Sequence, residues 1–335
     1  MGAHRAQRNL VTKLKRVAIK RFCADSASNA TTPNSFWKQL KPLLPSVGRD
    51  VSQEDIHLID DGKVVKEPSH LYNSFSSTPI LDQSALKLKQ EELLTHPSVS
   101  SITSRDIKLN FSFQPGRVSY IETLLGEIKC NKSCGPDNIM PKILKFSAPS
   151  MAGYLTKLLN LCNSTSTWPT EWKLSHVTPV FKKGDATSVS NFRPVSVLSI
   201  IPKILEKVMF DELYDVFQPL CSSNMSGFLR GHSCCTALVK MVDDWRLALD
   251  SKKVTGSLAI DLSKAFDSIC HNLLLAKLRA YGVGEEAIDF LHSYLSGRKQ
   301  RMEVNGIFSD WLPVYCGVPQ GSLLDHSCLM YLLTI

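Results

Sequence analysis

Hydrophobic side chains recur every three or four residues over 118–128, 150–163, 202–217, 233–250, 272–281 and 285–295, a period that predicts amphipathic helices. Elsewhere they alternate with smaller or polar residues. That alternation predicts strands over 175–181, from 191 onward, over 257–261, and over 298–304 and 307–315. The last two flank Asn305-Gly306, a strong hairpin signal, and Lys182-Lys183-Gly184-Asp185 reads as another hairpin-type turn. A tight turn at 318–322 leads into a final apolar helix.

The first third is less patterned. Leu10, Leu14 and Val17 place a stripe on a basic helix, 24–34 is a Ser/Thr/Asn/Ala-rich linker, and Phe36, Trp37, Leu40, Leu43 and Leu44 form a short amphipathic segment closed by Pro45. Residues 46–116 alternate weak helical pieces, such as 69–75, with polar stretches such as 74–79 and 97–104. No internal repeat is present. The mixture predicts an α+β fold, not a regular βαβ alternation.

Composition narrows the function classes. With 43% hydrophobic residues in 335, the chain can bury a core, which excludes a disordered protein. A net charge of +8 suits a nucleic-acid partner, and residues 1–21 concentrate it in Arg5, Arg8, Lys13, Lys15, Arg16, Lys20 and Arg21 without an acid. Such a start resembles a transit peptide, but the stripe favours an ordinary basic helix. The ten cysteines are scattered, so neither a zinc module nor a disulfide framework is indicated, and His232, Cys234 and Cys235 read as loop residues. No apolar run reaches the length of a membrane span, because Lys203 interrupts 195–205 and 328–335 is short.

The run S-L-A-I-D-L-S-K-A-F-D at 257–267 carries the candidate chemistry. Leu258 and Ile260 alternate as on a half-buried strand, and the strand stops at Asp261. An acid there can ligate a metal ion, and it can equally cap the following turn. Asp267 reads as a solvated or hydrogen-bonded acid.

Seven pieces in order give this run a context. They are S-C-G-P-D-N-I at 133–139, W-K at 172–173, T-P-V-F-K-K-G-D at 178–185, N-F-R-P-V-S-V-L at 191–198, S-G-F-L-R-G-H-S at 226–233, the Asp261 run, and G-V-P-Q-G-S at 317–322. Together they resemble the reverse transcriptase of non-LTR (LINE-type, jockey-like) retrotransposons. The resemblance implies an α+β right-hand polymerase, with fingers and a partial palm preceded by a helical connector. Its divisions would be 1–50 (basic helical connector), 51–116 (polar linker with short helices), 117–250 (fingers) and 251–335 (partial palm).

The implied activity is RNA-directed DNA synthesis with Mg²⁺, deoxynucleoside triphosphates, an RNA template and a DNA primer, in the nucleus and without a membrane. Asp261 would be the first metal ligand, with the backbone carbonyl of Leu262 beside it. Phe266 would lie under the sugar as the gate against a ribose hydroxyl. Arg193 and one of Lys182 or Lys183 would hold the triphosphate, Arg for bidentate geometry and Lys as a point charge. Gln320 and Gly321 would pack against nucleotide and template, and Arg298, Lys299 and Arg301 would lie on a basic strand that touches nucleic acid or stays solvated.

One expected motif, F/Y-A-D-D, is missing from the 335 residues. No Asp-Asp pair follows Gln320, and Asp60-Asp61 and Asp243-Asp244 stand before Asp261. Met225 also occupies a position where the family usually has Gln. With suitable codons, one inserted nucleotide after Leu324 turns 325–335 into G-P-L-L-F-N-V-F-I-N-D, the family's continuation. The sequence therefore predicts a one-nucleotide frameshift near Leu324, a chain inactive by itself, and a palm strand whose open edges reduce solubility. The alternatives from other classes are a non-catalytic nucleic-acid-binding remnant and a translated pseudogene product.

Overall fold

The computed structural model of the chain describes residues 58–60, 63–65, 90–105, 109–185, 187–188, 191–262, 264–304 and 307–325. The expectations for the basic N-terminal helix, the 24–34 linker, the Phe36 segment, the 69–75 helix, the Asn305-Gly306 turn and the final apolar helix lie outside these residues.

Residues 58–65 form a small antiparallel hairpin of β1 (Leu58–Asp60) and β2 (Lys63–Val65). Two short helices follow, α1 (Gln90–Thr95) and α2 (Pro97–Thr103). The helical period then sets the core. In α3 (Val118–Gly126) Ile121 and Leu125, four residues apart, are buried. After α4 (Pro141–Phe146), α5 (Ala148–Ser164) turns Ala152, Leu155, Leu159 and Cys162 inward on one face. The helix α6 (Ile200–Phe217) is buried over most of its circumference, including Ile204, Leu205, Val208, Met209 and Phe217, so the core forms around it.

The chain continues through α7 (Cys234–Asp250), α8 (His271–Tyr281) and α9 (Glu285–Leu295). Ser233 and Thr236 start α7 with a reciprocal capping box, and Gly282, at φ +93°, ends α8 in the left-handed conformation that favours glycine. One hydrophobic cluster runs from Ile102 to Leu324 and takes in Phe111 and Phe113 from the polar linker.

A mixed sheet lies beside these helices. The strands β3 (Leu174–Phe181) and β4 (Phe192–Leu198) pair antiparallel, and β5 (Lys299–Val304) joins β3 in parallel. The short strands β6 (Ile307–Phe308) and β7 (Leu312–Pro313) both pair with β5. One face of the sheet is buried through Val177, Ser196, Leu198, Met302 and Val304. No helix among the described residues is long and apolar enough to cross a membrane.

One expectation is corrected here. The half-buried strand predicted at 257–261 is irregular backbone, with Leu258 85% and Ile260 80% exposed. Alternation makes one face buriable, but a strand needs hydrogen-bonding partners, and no described strand pairs with this segment. The helix expected over 233–250 is present as α7, which buries none of its residues; Leu238, Val242, Trp245 and Leu249 all stay accessible.

A mutational consequence follows. Leu258→Lys and Ile260→Lys are expected to change stability by less than about 0.5 kcal/mol each, as for exposed sites, and to raise the soluble fraction by replacing exposed apolar side chains with charged ones. Sedimentation of the expressed protein and its denaturation midpoint check this. A loss of about 2 kcal/mol or more per substitution would show that the segment is buried after all.

Candidate nucleotide and nucleic-acid site

The loop at 316–325 is fastened on two sides. Toward 264–269, Gly317 N donates to Ile269 O (2.8 Å), Val318 N donates to Phe266 O (3.0 Å), and His271 Nε2 lies 2.6 Å from Gly317 O. Gly317 has φ +76°, and a Cβ there would sit 2.7 to 2.8 Å from Asp267 O, Asp267 Cα and Phe266 O. Toward the sheet, Ser196 N of β4 donates to Gln320 O (2.8 Å), and a Cβ on Gly321, at φ +115°, would lie 2.9 Å from Ser196 O. Only glycine lets the two backbones approach this closely. The loop then closes on itself, since Gly321 N donates to the buried Asp325 Oδ2 (2.9 Å) and Asp325 N donates to Ser322 Oγ (3.0 Å).

Beneath the loop is a buried polar group that sequence reasoning missed. Glu206 of α6 is 1% exposed and accepts from Leu323 N (2.9 Å) and Tyr294 OH (3.1 Å). Burial pushes its carboxyl upward, opposed by those two hydrogen bonds and by the charges of Arg298 and Lys203. Arg298 is likewise buried, donates to Tyr294 O (3.1 Å) and lies 5.0 Å from the Tyr294 ring centroid. The basic strand is therefore split: Arg298 supports the core, while Lys299 is exposed and Arg301 half-exposed. A glutamate on an amphipathic helix ordinarily reads as surface, so its period alone gave no warning.

The loop at 226–232 docks against α6. Arg230 pairs with Asp211, its guanidinium carbon lies 4.3 Å from the Tyr214 ring centroid, and its backbone N donates to Tyr214 OH (2.7 Å). This anchor carries Phe228 to an edge contact with Phe266, the ring centroids being 6.4 Å apart. Phe266 is thus bounded by Phe228 and by the Val318 turn. The motif at 133–139 reaches the same region from behind: a Cβ on Gly135 would lie 2.3 Å from Ser199 N, just past β4.

The cationic candidates line the β3–β4 hairpin. Arg193 is exposed and registers opposite Val180, and Lys182 N donates to Asn191 O (2.8 Å) at the hairpin's end. Lys182 and Lys183 are exposed. Ser196, which carries the Gln320 and Gly321 contacts, lies three residues from Arg193 on β4, about 10 Å along a strand. The structure thus connects Phe266, Gln320, Gly321 and the strand of Arg193. It does not do the same for Asp261 and Leu262, which stay on exposed irregular backbone.

The donor set decides how far a metal reading goes. No group of three or more His, Cys, Asp or Glu among the described residues is arranged to hold a metal ion. Asp261 is one exposed carboxylate, and two divalent ions need more anionic oxygen than it offers. These residues alone do not fit a two-metal centre.

Sequence comparison gives this geometry its relatives. Residues 180–331 match the family described as reverse transcriptase (RNA-dependent DNA polymerase). Three Drosophila melanogaster proteins illustrate the similarity. A probable RNA-directed DNA polymerase from transposon BS is 27% identical over 65% of this chain and 24% of its own length. One from transposon X-element is 23% identical over 90% and 33%. The RNA-directed DNA polymerase from mobile element jockey is 25% identical over 61% and 22%. The chain thus spans about a quarter to a third of the length of these curated relatives. By the motif order and these matches, residues 180–331 are similar to the reverse transcriptase family, and the chain is similar to RNA-directed DNA polymerases of transposons and mobile elements.

Proposed function

We propose that the chain forms the nucleotide- and template-holding part of an RNA-directed DNA polymerase, the fingers over 117–250 and part of the palm over 251–335. The observation that carries this reading is the 316–325 loop, bound at once to the Phe266 turn and to the strand of Arg193. In this reading Arg193 and one of Lys182 or Lys183 hold the triphosphate, Phe266 lies under the sugar, and Gln320 and Gly321 face the nucleotide and template. Asp261 and the Leu262 carbonyl would be the oxygens these residues offer a divalent ion, which needs further carboxylates to be held.

A second carboxylate element would have to come from outside the 335 residues. By themselves they bind nucleic acid without adding nucleotides, a reading favoured by the exposure of Asp261. In an anisotropy titration, the full chain is expected to bind RNA in a salt-sensitive manner, and Arg193→Ala to reduce the logarithmic salt slope by about 0.7. With primer, template, Mg²⁺ and nucleoside triphosphates, no primer extension is expected, and Asp261→Ala leaves RNA affinity unchanged. Extension by the 335 residues would overturn the one-carboxylate argument, and absence of RNA binding would overturn the proposal.

A further inference from the structure

The sheet has a second face, and its side chains are not those of a solvated edge. Register places Arg193, Val195 and Val197 of β4 beside Val180, Thr178 and His176 of β3. His176 and Leu174 stand opposite Arg301 and Lys299 of β5, and Glu303 stands opposite Phe308 of β6. None of these residues is buried, whereas the intervening residues of all three longer strands largely are. Cations outnumber acids at these positions, with Glu303 set against Arg193, Lys299 and Arg301.

At the β5–β6 end an aromatic cluster is built around one guanidinium. The Arg301 guanidinium carbon lies 4.0 Å from the Phe308 ring centroid and 4.6 Å from that of Trp311. Arg301 Nε donates to His176 Nε2 (3.0 Å), which fixes His176 as the acceptor. The His176 ring in turn lies 5.0 Å from Phe308 and 5.8 Å from Trp311. Burial and the Arg301 charge hold the His176 imidazole below its usual range, consistent with that accepting role. Phe308 nonetheless remains 41% exposed. A planar cation, two rings and an imidazole are therefore held in place at the open end of a cationic sheet face.

We propose that this face binds single-stranded nucleic acid, with Lys299 contacting the phosphate backbone and the Arg301–Phe308–Trp311 cluster providing the step on which a base stacks. The inference rests on the nucleic-acid reading above and assigns it a surface. Bases of a duplex are stacked on one another, so a ring cluster of this kind discriminates for unpaired strands. An exposed cationic face without such rings would give salt-dependent binding with no preference.

The test compares a labelled single-stranded RNA with a blunt RNA duplex of the same length, bound to the full chain. The single strand is expected to bind more tightly. Trp311→Ala and Phe308→Leu should each cost about tenfold in single-strand affinity, with the salt slope unchanged, whereas Trp311→Phe keeps most of it. Lys299→Ala should do the reverse, lowering the salt slope by about 0.7 for single strands. Phe308→Leu preserves apolar bulk, so its loss of affinity with an unchanged melting curve separates stacking from folding. If all ring variants bind as the unaltered chain does, the surface assignment falls while nucleic-acid binding stands. Should the unaltered chain bind no nucleic acid, both readings fall together.

Discussion

Replacing Gly317 with alanine is expected to cost about 3 kcal/mol of stability and to lower the melting temperature by about 6 to 12 °C. Two terms add. An L residue at φ +76° is strained by about 1–2 kcal/mol, and the new methyl must open a gap against three backbone atoms of Phe266 and Asp267 at 2.7 to 2.8 Å. Backbone cannot rotate away as a side-chain tip can. The hydrogen bonds from Gly317 N and Val318 N then lengthen, so nucleotide and RNA contacts that depend on the loop weaken as well. Gly153→Ala is the control, because its Cβ in the middle of α5 would meet nothing within 4 Å. There alanine should stabilise by about 0.5–1 kcal/mol through helix propensity. Thermal melts of both variants decide the matter, and a neutral Gly317→Ala would mean that the loop is not seated on the Phe266 turn.

What the chain's pattern revealed depended on whether neighbours supply what a segment needs. The helices over 118–128, 150–163, 202–217, 272–281 and 285–295 were legible because each has an apolar face and a core that receives it. Short helices such as Pro97–Thr103 and Pro141–Phe146 were not, being one or two turns with serines or a leading proline that reads as a break. The strand at 257–261 failed for the opposite reason: its alternation is sound, but pairing is a property of two segments, and no described segment pairs with it. For the candidate site, the fold joins the turns of Phe266, Gln320 and Gly321 to the strand that carries Arg193, while the roles of these residues rest on the motif order. Invisible in the sequence were Glu206 and Arg298, whose burial follows from long-range packing, and the ring cluster on Arg301, which requires β3, β5 and β6 to meet in register.

Glu206 carries the other large effect. Glu206→Ala is expected to destabilise the fold by about 3–5 kcal/mol, since it takes a buried acceptor from Leu323 N and Tyr294 OH and leaves a cavity beneath the loop. Glu206→Gln should cost less, because its one carbonyl oxygen still accepts one of the two donors. The pH dependence follows from the direction of the shift. Burial raises the carboxyl's folded-state pKa above its unfolded value, so folding favours the protonated form. The stability this contributes is present below the unfolded value and is lost as pH rises through the folded one. Glu206→Gln cannot titrate there. The melting-temperature advantage of the unaltered chain over Glu206→Gln should therefore shrink as pH is raised from the ordinary glutamate range toward neutrality. Paired melts across that interval measure it. An advantage that grows with pH would show that Arg298 and Lys203 outweigh desolvation, and that the carboxylate beneath the 316–325 loop is held as an ion pair.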